Sequence, residues 1–439
     1  MSDESRADDP RADVRGAALV FIAKIVVSIW VLDAGFSHVS DDDYARAVIS
    51  EQFAHAPSLD PSGTSWLPFP FWIAGSAMAL FGRTLEVARG VAVVSSALAT
   101  TLAYLAVREL PTRREPALVG TVIALALPWN AWLGATFVPE GFAAPLMVAG
   151  MATMRAPRVG ARVLGAVALL AASLSRYDAW PACVAFFVCS LSLRPDPKRV
   201  ALHAVPLAGP LGWMIWNLHA HGSATHFLTR VAAYREAIGA GGNPLGEELM
   251  VYPRALLATG FEPLVLGGAG VVVLALRRDV RARWAAPLFA CLAIAIFLVY
   301  GETRGGAPTH HPERALVAVA WLLVVFGVDA IATALEQASR RARFTAGAAA
   351  IAGVFLTLPG RYARAPARDA SENRDRQIER GLDYRDRGAK HLAVTPCAYE
   401  HFALIAAYGA PERVDVANVS PHDAVAHRPD ATCPSVQEN

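Results

Sequence analysis

Apolar segments recur along most of the 439 residues, at Ala17 to Phe36, Val87 to Val107, Ala117 to Ala135, Gly141 to Met154, Val163 to Ser175, Ala179 to Leu193, Val200 to Leu218, Ala255 to Leu276, Trp284 to Tyr300, Ala315 to Leu335 and Phe344 to Leu358. A straight crossing of a bilayer takes about 20 apolar residues, and several of these runs are shorter. The pattern predicts an all-α polytopic membrane protein of about eleven transmembrane helices with soft boundaries. Composition agrees: 54% of the residues are apolar and only 18% charged, a balance far from that of a soluble domain. The net charge of +2 gives no case for a nucleic-acid partner, because topology accounts for the basic residues.

Those basic residues cluster in alternate short loops: Arg108, Arg113 and Arg114; Arg155, Arg158 and Arg162; Arg194, Lys198 and Arg199; Arg277, Arg278, Arg281 and Arg283; Arg340, Arg341 and Arg343. Lys and Arg are retained on the cytoplasmic side. The polar stretch 1–16 therefore reads as a disordered cytoplasmic tail, 17–359 as the membrane domain, and its long loops 37–86, 219–253 and 301–314 as extracytoplasmic. From 360 to 439 the chain turns polar, with a strand expected at His391 to Thr395, a helix at Tyr399 to Tyr408 and a short strand at Arg413 to Val416. Such a small α/β appendage is marginal alone and is expected to pack on the membrane domain, on its outer face. Cys183, Cys189 and Cys291 sit in apolar runs as core residues, whereas Cys397 and Cys433 can pair if the tail lies outside the cytoplasm. The chain has no CxxC, HExxH or GxxxxGK[ST] motif.

Immediately after the first apolar run comes Ser40-Asp41-Asp42-Asp43-Tyr44-Ala45-Arg46. Three adjacent carboxylates repel one another, so a neighbouring base, a bound cation or a shifted pKa is implied. The same outer loop continues through breakers at Pro57, Pro61 and Gly63 to Trp66-Leu67-Pro68-Phe69-Pro70-Phe71-Trp72, a composition suited to a segment lying in the membrane interface, with a juxtamembrane helix at about Phe71 to Phe81.

The order of motifs resembles the GT-C superfamily of membrane glycosyltransferases, especially bacterial relatives of protein O-mannosyltransferases and aminoarabinose transferases. The resemblance runs from the acidic motif through Trp66-Leu67-Pro68, Leu80-Phe81-Gly82 and Ala88-Arg89 to Val138-Pro139-Glu140 and Ser175-Arg176-Tyr177-Asp178-Ala179-Trp180. It implies a glycosyltransferase of a bacterial-type inner membrane, moving a hexosyl or pentosyl group from a polyprenyl-phosphate sugar to an unidentified acceptor on the extracytoplasmic face. The acid-acid-aromatic run Asp42-Asp43-Tyr44 makes Asp42 the expected general base, with Asp43 and Asp41 as close competitors. Some relatives use a divalent metal ion, Mg or Mn, and Asp42 with Glu140 would be its oxygen ligands here.

The chemistry asks for the same residue types. Sugar transfer from a lipid phosphate needs a base for the acceptor proton and positive charge for the departing phosphate. Glu140 is either a second acid of the site or a helix-start residue favoured by the dipole. Arg176 and Asp178 either pair with each other or hold the donor phosphate. His310, His311 and Arg314 are the better phosphate-binding candidates, since a His pair and an Arg offer several hydrogen-bond donors to an anion beside the bilayer. Tyr44, Trp66, Tyr177 and Asp178 complete an expected substrate groove. The competing class is a transporter or flippase of lipid-linked sugars, against which the ionisable residues gather in outer loops and not at mid-membrane.

Overall fold

A computed structural model describes residues 10–110, 112, 114–191, 196–237, 239, 244–305, 311–336, 339–362, 373–418 and 433–438. Its membrane part is built of α1 (Pro10–Asp33), α2 (Asp42–His55), α3 (Phe69–Phe81), α4 (Leu85–Arg108), α5 (Arg114–Ala126), α6 (Pro128–Leu133), α7 (Glu140–Thr153), α8 (Val159–Ser173) and α9 (Trp180–Leu191). It continues through α10 (Pro197–Ala204), α11 (Ala208–His221), α12 (His226–Ala237), α13 (Leu245–Ala258), α14 (Phe261–Leu276), α15 (Arg278–Thr303), α16 (Glu313–Ala334) and α17 (Arg340–Tyr362). Among the described residues, α1, α4, α15 and α16 are long and apolar enough to cross a membrane, and α13 with α14 forms a fifth, bent candidate. The expected count of about eleven is thus not reached by length and composition. Proline and glycine are the reason: Val200 to Leu218 is cut by a 3-10 turn carrying Pro206, and α13 meets α14 at 98°. At that bend Gly260 has φ 132°, and a Cβ there would lie 2.7 Å from both Arg361 Nη2 and Glu262 Oε2.

The first helix begins at Pro10, inside the stretch expected to be disordered. Asp13 explains it, since its carboxylate accepts from Arg108 Nε at 3.1 Å and Arg114 Nη2 at 2.9 Å. The N-terminus of α1 is thereby tied to one end of α4, while the opposite end of α4, about 36 Å away at 1.5 Å per residue, starts at the Thr84 cap beside α3. Two ends of the bundle are so defined: a basic one around Arg108 and Arg158, and one holding α2 and α3.

The core runs through α16, which buries most of its length, and through α7, packed between α4 and α8. The appendage consists of α18 (Asp375–Asp386), β1 (Leu392–Thr395), α19 (His401–Tyr408), β2 (Val414–Val416) and β3 (Ser435–Glu438). Its sheet has the order β2-β1-β3, with β1 parallel to β2 through the α19 crossover and antiparallel to β3. The appendage sits on α2: Ala403 and Ala406 of α19 pack against Tyr44 and Ala47, and Arg83 Nη1 reaches Glu412 at 2.7 Å. A disulfide joins Cys397 to Cys433.

Candidate active site

Four chain segments converge where helices begin. Asp42 is the first residue of α2, Glu140 the first of α7, and Arg314 the second of α16, while Arg176 and Asp178 lie in the turn before α9. Acids at helix starts are favoured by the dipole. Arg314 is not, and its two neighbouring carboxylates offset the penalty. Arg314 donates through Nε and Nη2 to Glu140 Oε1, each at 2.7 Å, and its Nη1 stands 3.9 Å from Asp42 Oδ2. Arg176 donates to the same Glu140 oxygen and holds Asp178 through Nε at 3.0 Å and Nη2 at 3.4 Å. The result is one chain of charges, Asp42, Arg314, Glu140, Arg176, Asp178, in which Glu140 is 2% exposed and its second oxygen, Oε2, has no hydrogen-bond partner.

The three adjacent acids have three different environments. Asp41 accepts both arms of Arg374 at 2.7 and 2.8 Å, clamping α2 to the segment that leads into the appendage. Asp43 is fully buried and accepts the N–H groups of Val39, Ser40 and Phe137 at 2.9, 3.2 and 3.0 Å. Burial raises its carboxyl above the usual range, opposed by His38, by those backbone donors and by Arg314. Asp42 alone keeps a half-exposed carboxylate, with Arg314 as its nearest cation. Tyr234 of α12 and Tyr399 of the appendage lie near enough to Asp42 to feel its charge.

Of the other expected residues, Tyr44 is buried with its hydroxyl 3.3 Å from His38 Nδ1. Tyr177 stacks on Phe227, donates to the Ser65 carbonyl at 2.7 Å and accepts from Trp213 Nε1 at 3.0 Å, a wall position more than a reacting one. His311 packs its ring on Trp129, centroids 5.5 Å apart, and takes φ 51°. His310 lies outside the described residues.

Arg46 also belongs to this cluster and is not among the site residues expected from the sequence. It lies one helical turn after Asp42, a spacing that puts both on one face of α2 and is readable in advance. Its guanidinium sits 4.3 Å over the Trp66 ring and 5.6 Å from that of Phe71, and burial pulls its pKa down to about 10.

Asp42 and Glu140 do not fit a shared divalent ion. Arg314 already stands between the two carboxylates, and Arg46, Arg176 and Arg314 all act on Glu140, so a metal cation there would have to displace guanidinium groups already in place. A substrate hydroxyl or N–H suits the free Oε2 better than a metal does. Among the described residues one further cluster has metal-ligating types, Cys397, Glu400 and Cys433. Its sulfurs are bonded to each other and Glu400 accepts the Cys397 and Ala398 N–H groups at 3.0 and 2.8 Å, so no thiolates are on offer.

No family model matches the chain, and no curated protein matches it in sequence. Solved structures do. The oligosaccharyltransferase of Archaeoglobus fulgidus in its apo form superposes with a TM-score of 0.58 at 12% identity, over 92% of this chain and 64% of that one. This chain thus spans less than two thirds of the oligosaccharyltransferase. ArnT from Cupriavidus metallidurans bound to undecaprenyl phosphate gives 0.53 at 18% identity, over 93% and 76%. The chain therefore shares the fold of these two proteins over more than nine tenths of its length.

Proposed function

We propose that this protein is a glycosyltransferase that moves a hexosyl or pentosyl group from a polyprenyl-phosphate-linked donor to an acceptor hydroxyl or amine, with Asp42 as general base. The observation that carries the reading is the half-exposed Asp42 carboxylate at the head of the buried chain Arg314, Glu140, Arg176 and Asp178, on a GT-C fold. Asp41 and Asp43 are already occupied, by Arg374 and by three backbone donors. A base must have a lone pair free for the incoming proton, and Asp42 has one.

In the proposed step the acceptor oxygen or nitrogen forms a bond to the anomeric carbon and its proton passes to Asp42. The bond from that carbon to the phosphate oxygen breaks, and its electron pair leaves with the lipid phosphate. Arg314 and Arg176, with His311 beside them, supply the positive charge that the departing phosphate requires. Glu140 holds both guanidinium groups in place, and its free Oε2 is placed to accept from a sugar or acceptor hydroxyl. Tyr234 and Tyr399 stand at the acceptor side. The half-reaction is proposed for the outer face of a bacterial-type inner membrane, in keeping with the sidedness of the basic loops. ArnT was solved with undecaprenyl phosphate, which supports a lipid phosphate over a nucleotide sugar as the donor. Purified protein offered a panel of polyprenyl-phosphate sugars should release polyprenyl phosphate when a suitable acceptor is added. Release from none of them, together with ligand counterflow in vesicles, would favour the flippase class.

A further inference from the structure

Lys24 lies near the middle of α1, a helix long and apolar enough to cross a membrane, and it is 2% exposed. Among the described residues no carboxylate is paired with it. An ionisable side chain at that depth is costly to place, so its presence there points to a role that an apolar residue could not fill. Its Nζ donates to the Asn130 carbonyl at 2.5 Å. That carbonyl also accepts the Gly134 N–H at 3.2 Å, the bond that closes α6.

Between Ala126, where α5 ends, and Glu140, where α7 begins, α6 is the one helix, so carbonyls of this connector need donors from elsewhere in the bundle. Tyr362 serves the Ala126 carbonyl at 2.9 Å and Ser28, one turn after Lys24 on α1, serves that of Gly134 at 3.3 Å. Lys24 does more than donate. Gly134 has an ordinary φ of −75°, so its missing side chain serves space, and a Cβ there would overlap Lys24 Nζ. The far end of the connector folds back onto the same spot: a Cβ on Gly141 would overlap the Leu133 carbonyl and come within 3.0 Å of the Gly134 Cα. Both ends of the connector therefore rest on the Lys24 amine. Between them the Phe137 N–H holds Asp43 at 3.0 Å, and Glu140 adjoins Gly141.

We infer that Lys24 is a positioning residue of the active site: from mid-membrane it sets the height of segment 130–141, and with it the Phe137 N–H that holds Asp43 and the carboxylate of Glu140. Its effect on turnover rests on the transferase reading, whereas its hold on the segment does not. A methionine has about the same length and suits the apolar surroundings, yet it donates nothing.

The test uses the full chain in phosphatidylcholine nanodiscs, with amide hydrogen exchange and transfer from a polyprenyl-phosphate sugar as separate readouts, at a temperature where every variant is folded. In Lys24→Met, exchange in peptides covering 128–142 should quicken by roughly tenfold, as loss of one buried hydrogen bond implies, while α15 and the appendage keep wild-type rates. Turnover per folded molecule should fall by roughly tenfold to a hundredfold, the effect of a small misplacement at a reacting site. Lys24→Gln keeps an N–H donor and should recover part of both. Gly134→Ala drives the amine away from the other side and should reproduce the pattern, so misfolding of Lys24→Met still leaves a decision. Unchanged exchange over 128–142 in both variants overturns the inference. Exchange that quickens throughout the chain also overturns it, because that marks a general loss of stability, and so does local quickening with wild-type turnover. Absence of transfer by the wild type strikes the transferase reading alone, and the exchange pattern then decides whether Lys24 holds the segment.

Discussion

Arg314 and Glu140 lie 174 positions apart in the chain and meet through two 2.7 Å contacts, Nε and Nη2 to one carboxylate oxygen. Both are buried, at 7% and 2% exposure. Because each begins a helix, the pair fixes the relative heights of α16 and α7, and through Arg176 it fixes the turn before α9 as well. Removing one partner strands a buried charge. Arg314→Ala or Glu140→Ala alone should cost about 3 to 5 kcal/mol of stability, and the double variant should recover part of it, with a coupling of about 0.5 to 3 kcal/mol. Thermal unfolding in detergent measures all three, and strictly additive losses would contradict a direct pair. In variants that still fold, loss of Arg314 should weaken donor binding more than it slows a saturated reaction.

Asp42→Asn should lower turnover by a factor on the order of a hundred or more and leave folding unchanged, because the carboxylate is half-exposed and spends nothing on the fold. Asp43→Asn should behave in the opposite way. Its amide cannot accept on both sides from Val39, Ser40 and Phe137, so stability should fall by about 1 to 3 kcal/mol. Release of polyprenyl phosphate and unfolding temperature, measured on both variants, separate the two roles. Near-normal turnover in Asp42→Asn would remove it as the base.

Much of this site was legible from residue types and order, and some was not, for a definite reason. The acidic run, Glu140 after Pro139, Arg176 with Asp178 and Arg314 were all visible, since each marks a helix start or a polar turn beside an apolar run. The division of labour among Asp41, Asp42 and Asp43 was hidden, because it depends on Arg374 and on the Phe137 N–H, 333 and 94 positions away. Arg46 was hidden in the same manner: its helix face can be read from spacing, but its place over the Trp66 ring and beside Glu140 is a property of packing. In the membrane part, apolar content was readable while continuity was not, as the breaks at Pro206 and Gly260 show. The α/β appendage was the easier portion, because alternation in Leu392–Thr395 and the run in His401–Tyr408 belong to local pattern.

The appendage interface carries a pH signature. Glu51 of α2 is fully buried and neither carboxylate oxygen has a partner. Burial pushes its pKa well above the usual carboxylate range, with Arg83 and Arg385 pulling it down and Glu412 pushing it up. A raised folded pKa means that the stability tied to Glu51 is fully present below its unfolded pKa, about 4.3, and is lost as pH rises toward and through the folded value. Glu51→Gln keeps the shape of the protonated acid without the charge. The variant should match wild type near pH 4.5 and exceed it increasingly toward pH 8, by about 1 to 3 kcal/mol at the upper end. A stability difference that shrinks with rising pH would reverse the sign and refute the assignment.

The last prediction concerns the side of the membrane. Arg374 clamps Asp41 and α19 packs on Tyr44 and Ala47, so the appendage and the acidic motif must lie on one side together. At the other end of α4, Asp13 gathers Arg108 and Arg114, the kind of basic loop that stays cytoplasmic. Leu59→Cys in the first long loop and Val416→Cys in the appendage are both well exposed, and the native free cysteines are all buried. Both engineered thiols should react in intact cells with a reagent that cannot cross the membrane. An oxidising compartment on that side would also maintain the Cys397–Cys433 disulfide, and reducing it should cost the appendage about 2 to 4 kcal/mol. Reaction of both thiols only after the cells are opened would place site and appendage in the cytoplasm, where the basic loops could no longer be the retained ones. Labelling of one without the other would break the α2 interface on which the arrangement of Asp41, Asp42 and Asp43 depends.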